Sequence, residues 1–503
     1  MEPMKISSIF SQNEYPIFAE KKPLQLDRQV HSVYMSSAQK VQPQLDQISS
    51  SLCLAKWLQV SLQLTTGQTQ SCYHPPTHKI PINEIQKDVS ALHNTQYKKE
   101  QRKKMLQGER PAECSTCWKM EDLGHLSDRH YRSAEEWSWP RFHEVLASGA
   151  EKNILPSYVE VNFNHACQLK CSYCSPHISS SWMEEIKQFG PYPTINPHNS
   201  LEWFEKQELI PHLQSDKNPY AEAFWRWWPE LYKTLRVFRM TGGEPLMDIN
   251  TYKVLDYILK NPKPDLKLSI TSNFSIQAEL FHKFISRVQK ISDGHFAERV
   301  TVFVSCDSVG DQAEYIRHGL DFEYMLNNVD HFLTTVQTGV VSFILTMTNL
   351  NIFGFQNLLE KILYLRRKHS RYFQRVWFDT PPLRFPSWQS LQILPEENQK
   401  FISTTIDWMK TKPMTMQTTQ SRLHGFHDYE VARLQRVLDW MKSGLPDAES
   451  LKLEKINFYR FFSEHDRRRN TKFLTVFPEL QSFWKSCEQL SHAYDASKVE
   501  LKK

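Results

Sequence analysis

Six short apolar runs recur through the middle of the chain, and each is followed by polar residues. Val159, Val161 and Phe163 alternate with polar neighbours in the first run, as the residues of a half-buried strand do. The runs are Val159–Phe163, Leu235–Met240, Leu266–Thr271, Val300–Val304, Val340–Leu345 and Val376–Phe378. Stretches with helical periodicity lie between them, among them Thr251–Leu259, Ile276–Lys290 and Phe355–Lys368. Alternating strands and helices predict an α/β fold with a parallel sheet.

The polar residues that follow these runs are expected to share one edge of that sheet. Ser272 and Asn273 follow the third run, Ser305 and Asp307 end the fourth, and Asp379 ends the last. In a parallel barrel the carboxyl ends of the strands form the active-site face. We therefore expect the chemistry of this chain to be located there.

The segment before the first run has a different pattern. Trp57–Leu64 alternates as a strand, 65–67 can turn the chain, and Gln68–Cys72 can return as its partner. Ile82–Leu106 is predicted to be one helix whose basic stretch, Lys98–Lys104, faces solvent. Residues 1–50 are polar and weakly periodic, which favours a flexible arm.

The end of the chain, 395–503, is predicted to be helical and amphipathic. Its clearest apolar stripe lies in 430–441, and Asp466–Arg469 is expected to be a solvated basic end. An insertion at about 178–232 contains the aromatic run Phe224–Trp228. That run either caps a pocket or packs a helix onto the sheet.

Composition narrows the possible functions. The chain has 61 Lys and Arg against 56 Asp and Glu, and a net charge of +5 does not demand a nucleic-acid partner. No apolar run is long enough to cross a membrane, and 1–50 lacks a secretory signal, so we expect a cytoplasmic protein. Seven of the nine cysteines fall into two groups, which suits a reducing compartment better than a disulfide framework.

The first cysteine group follows the first predicted strand. Cys167, Cys171 and Cys174 have the spacing C-x3-C-x2-C. Three thiolates so close together can bind a soft metal centre, and a [4Fe–4S] cluster held by three cysteines keeps one iron open for another ligand. The alternatives are a zinc site, which usually uses two C-x2-C pairs, and a set of buried thiols.

The second group is spread over the N-terminal segment. Cys53 and Cys72 would lie near one end of the predicted hairpin, and Cys114 and Cys117 form a C-x2-C pair. Four thiolates can close the coordination shell of either an iron–sulfur cluster or a structural zinc ion. Free thiols are the third possibility.

Two motifs in this order resemble the radical S-adenosylmethionine (SAM) enzymes. The cysteine loop, with Tyr173 before its last cysteine, is similar to the cluster loop of that family, and Thr241 precedes a similar GGEP segment. The resemblance implies an open (β/α)6 partial barrel and a SAM-binding [4Fe–4S] cluster on the three cysteines. In that family the GGEP segment holds the SAM amino group. The residues that the resemblance assigns to SAM are Tyr173, Gly242, Gly243, Glu244, Pro245, Ser272, Asn273, Ser305, Asp307 and Arg317.

Within that assignment the expected contacts differ. Ser272 and Asn273 would bind the ribose, whereas Arg317, in a helix-like segment, resembles the arginine that related enzymes direct at the SAM carboxylate. A guanidinium fork fits a carboxylate bidentately.

The N-terminal segment resembles the twitch module, a half-sized relative of the SPASM domain. Both have a hairpin flanked by cysteines, then a helix, then a cysteine pair. The resemblance implies an auxiliary [4Fe–4S] cluster on Cys53, Cys72, Cys114 and Cys117. Here the module precedes the barrel, whereas in relatives it usually follows.

The family resemblance implies an enzyme that cleaves SAM reductively to a 5′-deoxyadenosyl radical, which abstracts hydrogen from substrate. It also implies an electron donor such as flavodoxin or ferredoxin. The substrate is open: a peptide leads, and a small sugar, a cyclitol or RNA are alternatives. A metal-stabilised scaffold without catalysis is the non-enzymatic hypothesis.

The expected organisation has four parts. They are an arm at 1–50, the auxiliary module and connector at 51–156, the barrel at 157–394, and the helical region at 395–503.

Overall fold

A computed structural model describes residues 27–212, 217–370, 373–414, 424–445 and 447–500, without the side chains of 27–36 and 498–500. The protein is a mixed α/β fold built on one large sheet. Its strands are β1 Gln59–Gln63, β2 Gln68–Gln70, β3 His78–Lys79, β4 Tyr158–Asn162, β5 Lys170–Cys171, β6 Val237–Thr241, β7 Lys263–Ser272, β8 Ala297–Ser305, β9 Arg317–His318, β10 Val340–Ile344 and β11 Val376–Asp379.

The helices divide into three groups along the chain. Before β4 they are α1 Asp27–Ile48, α2 Ala55–Leu58, α3 Ile82–Lys87, α4 Gln96–Leu106, α5 Ser115–Asp122, α6 Asp128–Ser133 and α7 Phe142–Ser148. Between β5 and β11 they are α8 Ser180–Phe189, α9 Leu201–Lys206, α10 Pro219–Thr234, α11 Ile249–Lys260, α12 Ala278–Asp293, α13 Gly310–Ile316, α14 Phe322–Thr335 and α15 Phe355–His369. The last group is α16 Gln399–Lys410, α17 Asp428–Ser443, α18 Ala448–Arg469, α19 Phe473–Val476 and α20 Gln481–Glu500.

The predicted parallel sheet is confirmed. The strands of the six apolar runs lie side by side in chain order, β4-β6-β7-β8-β10-β11, and every neighbouring pair is parallel. Their carboxyl ends therefore meet at one edge, as the polar residues after each run predicted.

The hairpin of the N-terminal segment continues this sheet. β1 pairs with β2 antiparallel, as predicted, but its other edge pairs with β4 in parallel, Ser61 opposite Glu160. Val60 and Leu62 are fully buried in the same apolar core as Val159 and Val161. The boundary expected between 156 and 157 is thus crossed by strand pairing and by a shared core.

The expected arm at 1–50 needs correction. Residues 1–26 lie outside the described residues, but 27–48 form α1, where Ala38, Val41 and Leu45 are buried. Val41 and Leu45 join a second core that contains Trp57 and Trp118. Between 37 and 48 only this narrow stripe is buried, so few apolar residues mark that part of the helix.

The predicted helix Ile82–Leu106 is also wrong in two respects. It is broken into α3, a short 3₁₀ turn and α4, and Thr95 caps α4 by accepting from the Lys98 amide. Its basic stretch is solvated only in part: Lys103 and Lys104 are exposed, whereas Lys98 is 1% exposed and Arg102 0%.

The C-terminal helices are confirmed, including the apolar stripe of α17, where Leu434, Val437, Leu438 and Met441 are buried. The basic end of α18 differs from expectation. The Arg469 side chain is fully buried with its Nη2 3.3 Å from an oxygen of Glu185 in α8. Arg469 therefore packs against α8, whereas the sequence predicted that it would face solvent.

The aromatic run packs onto the sheet. In α10, Phe224, Trp227 and Trp228 are buried, whereas the half-buried Trp225 stacks on Phe163 at the end of β4. Trp225 also lines an open cleft with Arg226 and Lys253. The packing alternative is therefore the main arrangement.

One face of the sheet is covered less completely than the other. Glu160, Arg239, Thr271 and Phe303 on this face are only partly buried, whereas the residues that alternate with them are fully buried. No helix within the described ranges combines the length and apolar character that crossing a membrane requires.

Candidate functional site

The loop of Cys167, Cys171 and Cys174 lies against a two-stranded ribbon. Cys171 in β5 pairs antiparallel with Arg317 in β9, and Ser172 N–H donates to the Ile316 carbonyl at 2.8 Å. Cys171 is buried, and the other two cysteines are partly exposed. Arg317 therefore stands in a short strand after α13, not in the expected helix.

The first turn of α8 holds the cysteine loop. Ser180 Oγ accepts from the Cys167 amide at 3.1 Å, and Ser181 Oγ donates to the Cys167 carbonyl at 2.7 Å. Trp182 Nε1 donates to the Cys171 carbonyl at 2.9 Å, and Ser179 Oγ to the Leu169 carbonyl at 2.8 Å. Sequence reasoning missed these residues, although the run of three serines and a tryptophan begins five residues after Cys174.

The structure brings the GGEP segment onto the same loop. Gly243 N–H donates to the Asn164 carbonyl at 3.2 Å and Glu244 N–H to the Ala166 carbonyl at 2.7 Å. Gly242 has φ +126°, and a Cβ on Gly243 would overlap the Ala166 carbonyl. Both glycines are needed because the two backbones approach too closely for a side chain.

Glu244 points into the protein. Its Oε1 accepts from Leu246 N–H at 3.0 Å and Ser272 Oγ at 2.8 Å, and its Oε2 accepts from Asn273 N–H at 2.8 Å. Burial raises the pKa of Glu244 to about 7 against the lowering effect of these hydrogen bonds. The carboxylate thus joins the ends of β6 and β7.

Asn273 connects the strand end to the cysteine loop. Its Oδ1 accepts from Nε2 of Gln168, the residue after Cys167, at 3.1 Å. No pattern in the sequence pointed to Gln168. Pro245, next to Glu244, is buried and begins a 3₁₀ turn.

Three assigned residues form a buried polar group beside Cys171. Tyr173 OH donates to Asp307 Oδ2 at 2.7 Å and accepts from Arg317 Nη2 at 2.5 Å. Arg317 Nε lies 2.8 Å from Asp307 Oδ2, and its Nη1 lies 3.5 Å from Cys171 Sγ. Ser305 ends β8 two residues before Asp307 and is partly exposed. The cysteine loop, the GGEP segment and the ends of β7 and β8 thus meet at one place.

Burial disfavours the thiolate form of all three cysteines. It raises the pKa of Cys174 to about 12 and also raises the pKa values of Cys167 and Cys171. Arg317 opposes this rise at Cys171. A metal centre binding here would have to displace the thiol protons.

The second cysteine group lines one cavity. Cys53, Cys72, Cys114 and Cys117 all line a small cavity of about 20 Å³ beside α2 and α5. Burial raises the pKa of Cys114 to about 12 and that of Cys117 to about 11. Lys56, Arg129 and Arg132 line the same cavity.

Two buried basic side chains of the same segment have no acidic partner among the residues that the structure describes, and burial lowers the pKa values of both. Within the described residues, neither Lys98 nor Arg102 has a carboxylate partner: Lys98 Nζ donates to the Gln59 carbonyl at 3.1 Å, and Arg102 Nη1 to Asn94 Oδ1 at 2.9 Å. A buried cation without a counter-charge is costly. Across the described part of the chain, no three His, Cys, Asp or Glu side chains are grouped to hold a single metal ion.

Comparisons with known proteins gave solved structures only. No family model and no curated protein matches this sequence. The crystal structure of Streptococcus suis SuiB bound to S-adenosylmethionine is similar with a TM-score of 0.34 and 11% identity, over 72% of this chain and 71% of that one. The crystal structure of SuiB bound to the precursor peptide SuiA is similar with a TM-score of 0.33 and 10% identity, over 71% of this chain and 70% of that one.

A structure of TYW1 with a lysine-pyruvate adduct bound gives a TM-score of 0.25 and 15% identity, over 48% of this chain and 70% of that one. All three TM-scores lie below 0.5, so these likenesses do not establish a shared fold.

Proposed function

We propose that this chain is a radical SAM enzyme whose SAM-binding [4Fe–4S] cluster is held by Cys167, Cys171 and Cys174. The observation that carries the proposal is the backbone contact of the GGEP segment with the loop just before Cys167. A scaffold would have no need of two glycines packed against a cysteine loop at the carboxyl edge of a parallel sheet. When bound, the cluster and SAM would supply a 5′-deoxyadenosyl radical for hydrogen abstraction.

The SAM-binding roles proposed for the protein follow from this arrangement. Gly242 and Gly243 let the ligand approach the backbone. Glu244 holds Ser272 and Asn273 in place through one hydrogen bond to each. Tyr173, Asp307 and Arg317 close the other side of the loop. Pro245 and Ser305 complete the proposed SAM set.

The proposal includes an auxiliary [4Fe–4S] cluster on Cys53, Cys72, Cys114 and Cys117. Its support is the shared cavity, whose lining also contains the basic side chains of Lys56, Arg129 and Arg132. We expect about eight irons in the intact protein and about four when Cys167, Cys171 and Cys174 are all replaced by Ala. Zinc in place of the remaining iron would refute the auxiliary cluster and leave a structural metal site.

We further propose that substrate lies against the partly exposed sheet face, with a peptide as the leading class. Arg239 is central on that face: its Nη2 donates to Thr271 Oγ1 at 3.1 Å, and its guanidinium lies 4.2 Å from the centre of the Phe303 ring. Glu160 Oε2 lies 3.5 Å from Arg239 Nε. A face with a cation, a carboxylate and an aromatic ring suits a substrate that carries charged and polar groups.

The test of the proposed function is SAM cleavage after anaerobic reconstitution and chemical reduction. We expect 5′-deoxyadenosine and methionine from the native protein and none from the triple variant C167A/C171A/C174A. The matched control is Cys487→Ala, which removes a buried cysteine outside both groups and should leave cleavage intact. Reductive cleavage by the triple variant would refute the assignment.

A further inference from the structure

Arg317 is placed to act on the cysteine loop itself. The pairing of β5 with β9 sets Arg317 opposite Cys171, and the guanidinium Nη1 donates to Cys171 Sγ at 3.5 Å. Arg317 is 6% exposed, so this contact is shielded from water. The family resemblance assigns this side chain to SAM, and nothing in that assignment calls for a bond to sulfur.

Asp307 is the counter-ion of the buried Arg317 guanidinium. Asp307 is fully buried and lies 2.8 Å from Arg317 Nε, and its Oδ1 also accepts from Thr346 N–H at 3.0 Å. Tyr173 bridges the two side chains through its hydroxyl.

The reduction potential of an iron–sulfur cluster depends on nearby charge, on hydrogen bonds to its sulfurs and on exposure to solvent. An N–H···S bond and a positive charge both stabilise the added electron, so they raise the potential. A nearby carboxylate has the opposite effect. Because both groups are buried within one contact of Cys171, water screens neither strongly.

We propose that the Arg317–Asp307 pair sets the reduction potential of the cluster on Cys167, Cys171 and Cys174. Arg317 raises the potential through its bond to Cys171, and Asp307 limits that rise. This inference rests on the proposed function, since it requires the cluster, but it makes a separate claim about what these two residues do. Arg317 is a positioning residue in this role, because it acts through the cysteine ligand.

The test is a redox titration of the reconstituted full-length protein without SAM, followed by electron paramagnetic resonance. The signal that is absent from the C167A/C171A/C174A variant identifies the cluster. We expect Arg317→Gln to lower its potential and Asp307→Asn to raise it. The equilibrium for reduction should change at least about tenfold in each case, which equals about 59 mV for one electron.

Arg366→Gln is the matched control. Arg366 and Glu430 form another fully buried ion pair, between α15 and α17, and do not contact the cysteine loop. This variant should lose stability while the potential stays unchanged. A purely structural role for Arg317 would make the two arginine variants alike.

Opposite shifts at equal iron content support the inference. Unchanged potentials, or shifts of the same sign in Arg317→Gln and Asp307→Asn, overturn it while the proposed function stands. If Arg317→Gln does not fold, Asp307→Asn decides, because the inference requires an upward shift there. Absence of any iron centre on the three cysteines in the native protein overturns the proposed function and this inference together.

Discussion

At the scale of single residues, the loop is shaped by contacts of its backbone and not by its thiols. The Ser179–Trp182 run binds three loop carbonyls and one loop amide, so the sulfurs are presented by a backbone that is already fixed. Preorganised ligands lose less conformational freedom when a metal centre binds.

Trp182→Phe should therefore weaken iron retention. The change keeps the ring in its fully buried position but leaves the Cys171 carbonyl without its donor. Leaving one buried acceptor unpaired costs about 1–3 kcal/mol, so release of iron to a chelator should become about tenfold faster. The control Trp203→Phe alters a tryptophan that is 53% exposed and should change nothing. Equal chelation rates for both variants would contradict this role.

At the scale of secondary-structure elements, the apolar periodicity of the sequence predicted strands and helices that form locally. All six parallel strands and the helices α11, α12 and α15 follow from apolar spacing. Spacing alone marked Cys167, Cys171 and Cys174, whereas Cys53 and Cys72 were grouped through the predicted hairpin. The β1–β4 pairing could not be predicted, because nothing local distinguishes a strand that ends a hairpin from one that also joins a sheet. Likewise Lys98 and Arg102 look like surface residues until the fold surrounds them.

Replacement of Leu62 tests the β1–β4 pairing that connects the hairpin to the sheet. Leu62 is fully buried on β1, in the core that it shares with Val161 of β4. Leu62→Ala should cost about 3 kcal/mol, and module and sheet should unfold in one transition. The control is Ile82→Ala, which truncates a side chain that is 38% exposed and should cost under about 1 kcal/mol. Two separate unfolding transitions in urea, only one of them shifted by the substitution, would show that the hairpin segment and the parallel strands do not unfold cooperatively.

At the scale of the whole molecule, burial of neutral histidines should make the protein sensitive to acid. Burial lowers the pKa values of six histidines to about 3 or 4: His78, His177, His198, His318, His427 and His465. The unfolded chain binds protons at these positions below about pH 6.5, whereas the folded protein does not. Stability is therefore full above pH 6.5 and falls as the pH drops, by about 1.4 kcal/mol per pH unit for each such group.

His465→Phe isolates one of these contributions. His465 is fully buried, its ring stacks on Tyr315 at 4.5 Å, and Arg469, Asp466 and His318 are the charged or titratable groups around it. Between pH 6.5 and pH 5 the variant should lose about 2 kcal/mol less stability than the native protein. Urea midpoints at both pH values measure this, with the exposed His125→Gln as control. Identical losses in the native protein and His465→Phe would refute the contribution.

The continuous sheet also bears on how the chain can be divided. A fragment that begins at 157 would contain every strand from β4 onward and all three cysteines of the loop, yet it would lack β1. The β4 edge that β1 covers would then present its free amides and carbonyls to solvent, next to the apolar side chains that Val60 and Leu62 had covered. Such an edge is a template for pairing with another copy. The hairpin before the parallel strands thus protects the protein from self-association, whatever the cysteines around it bind.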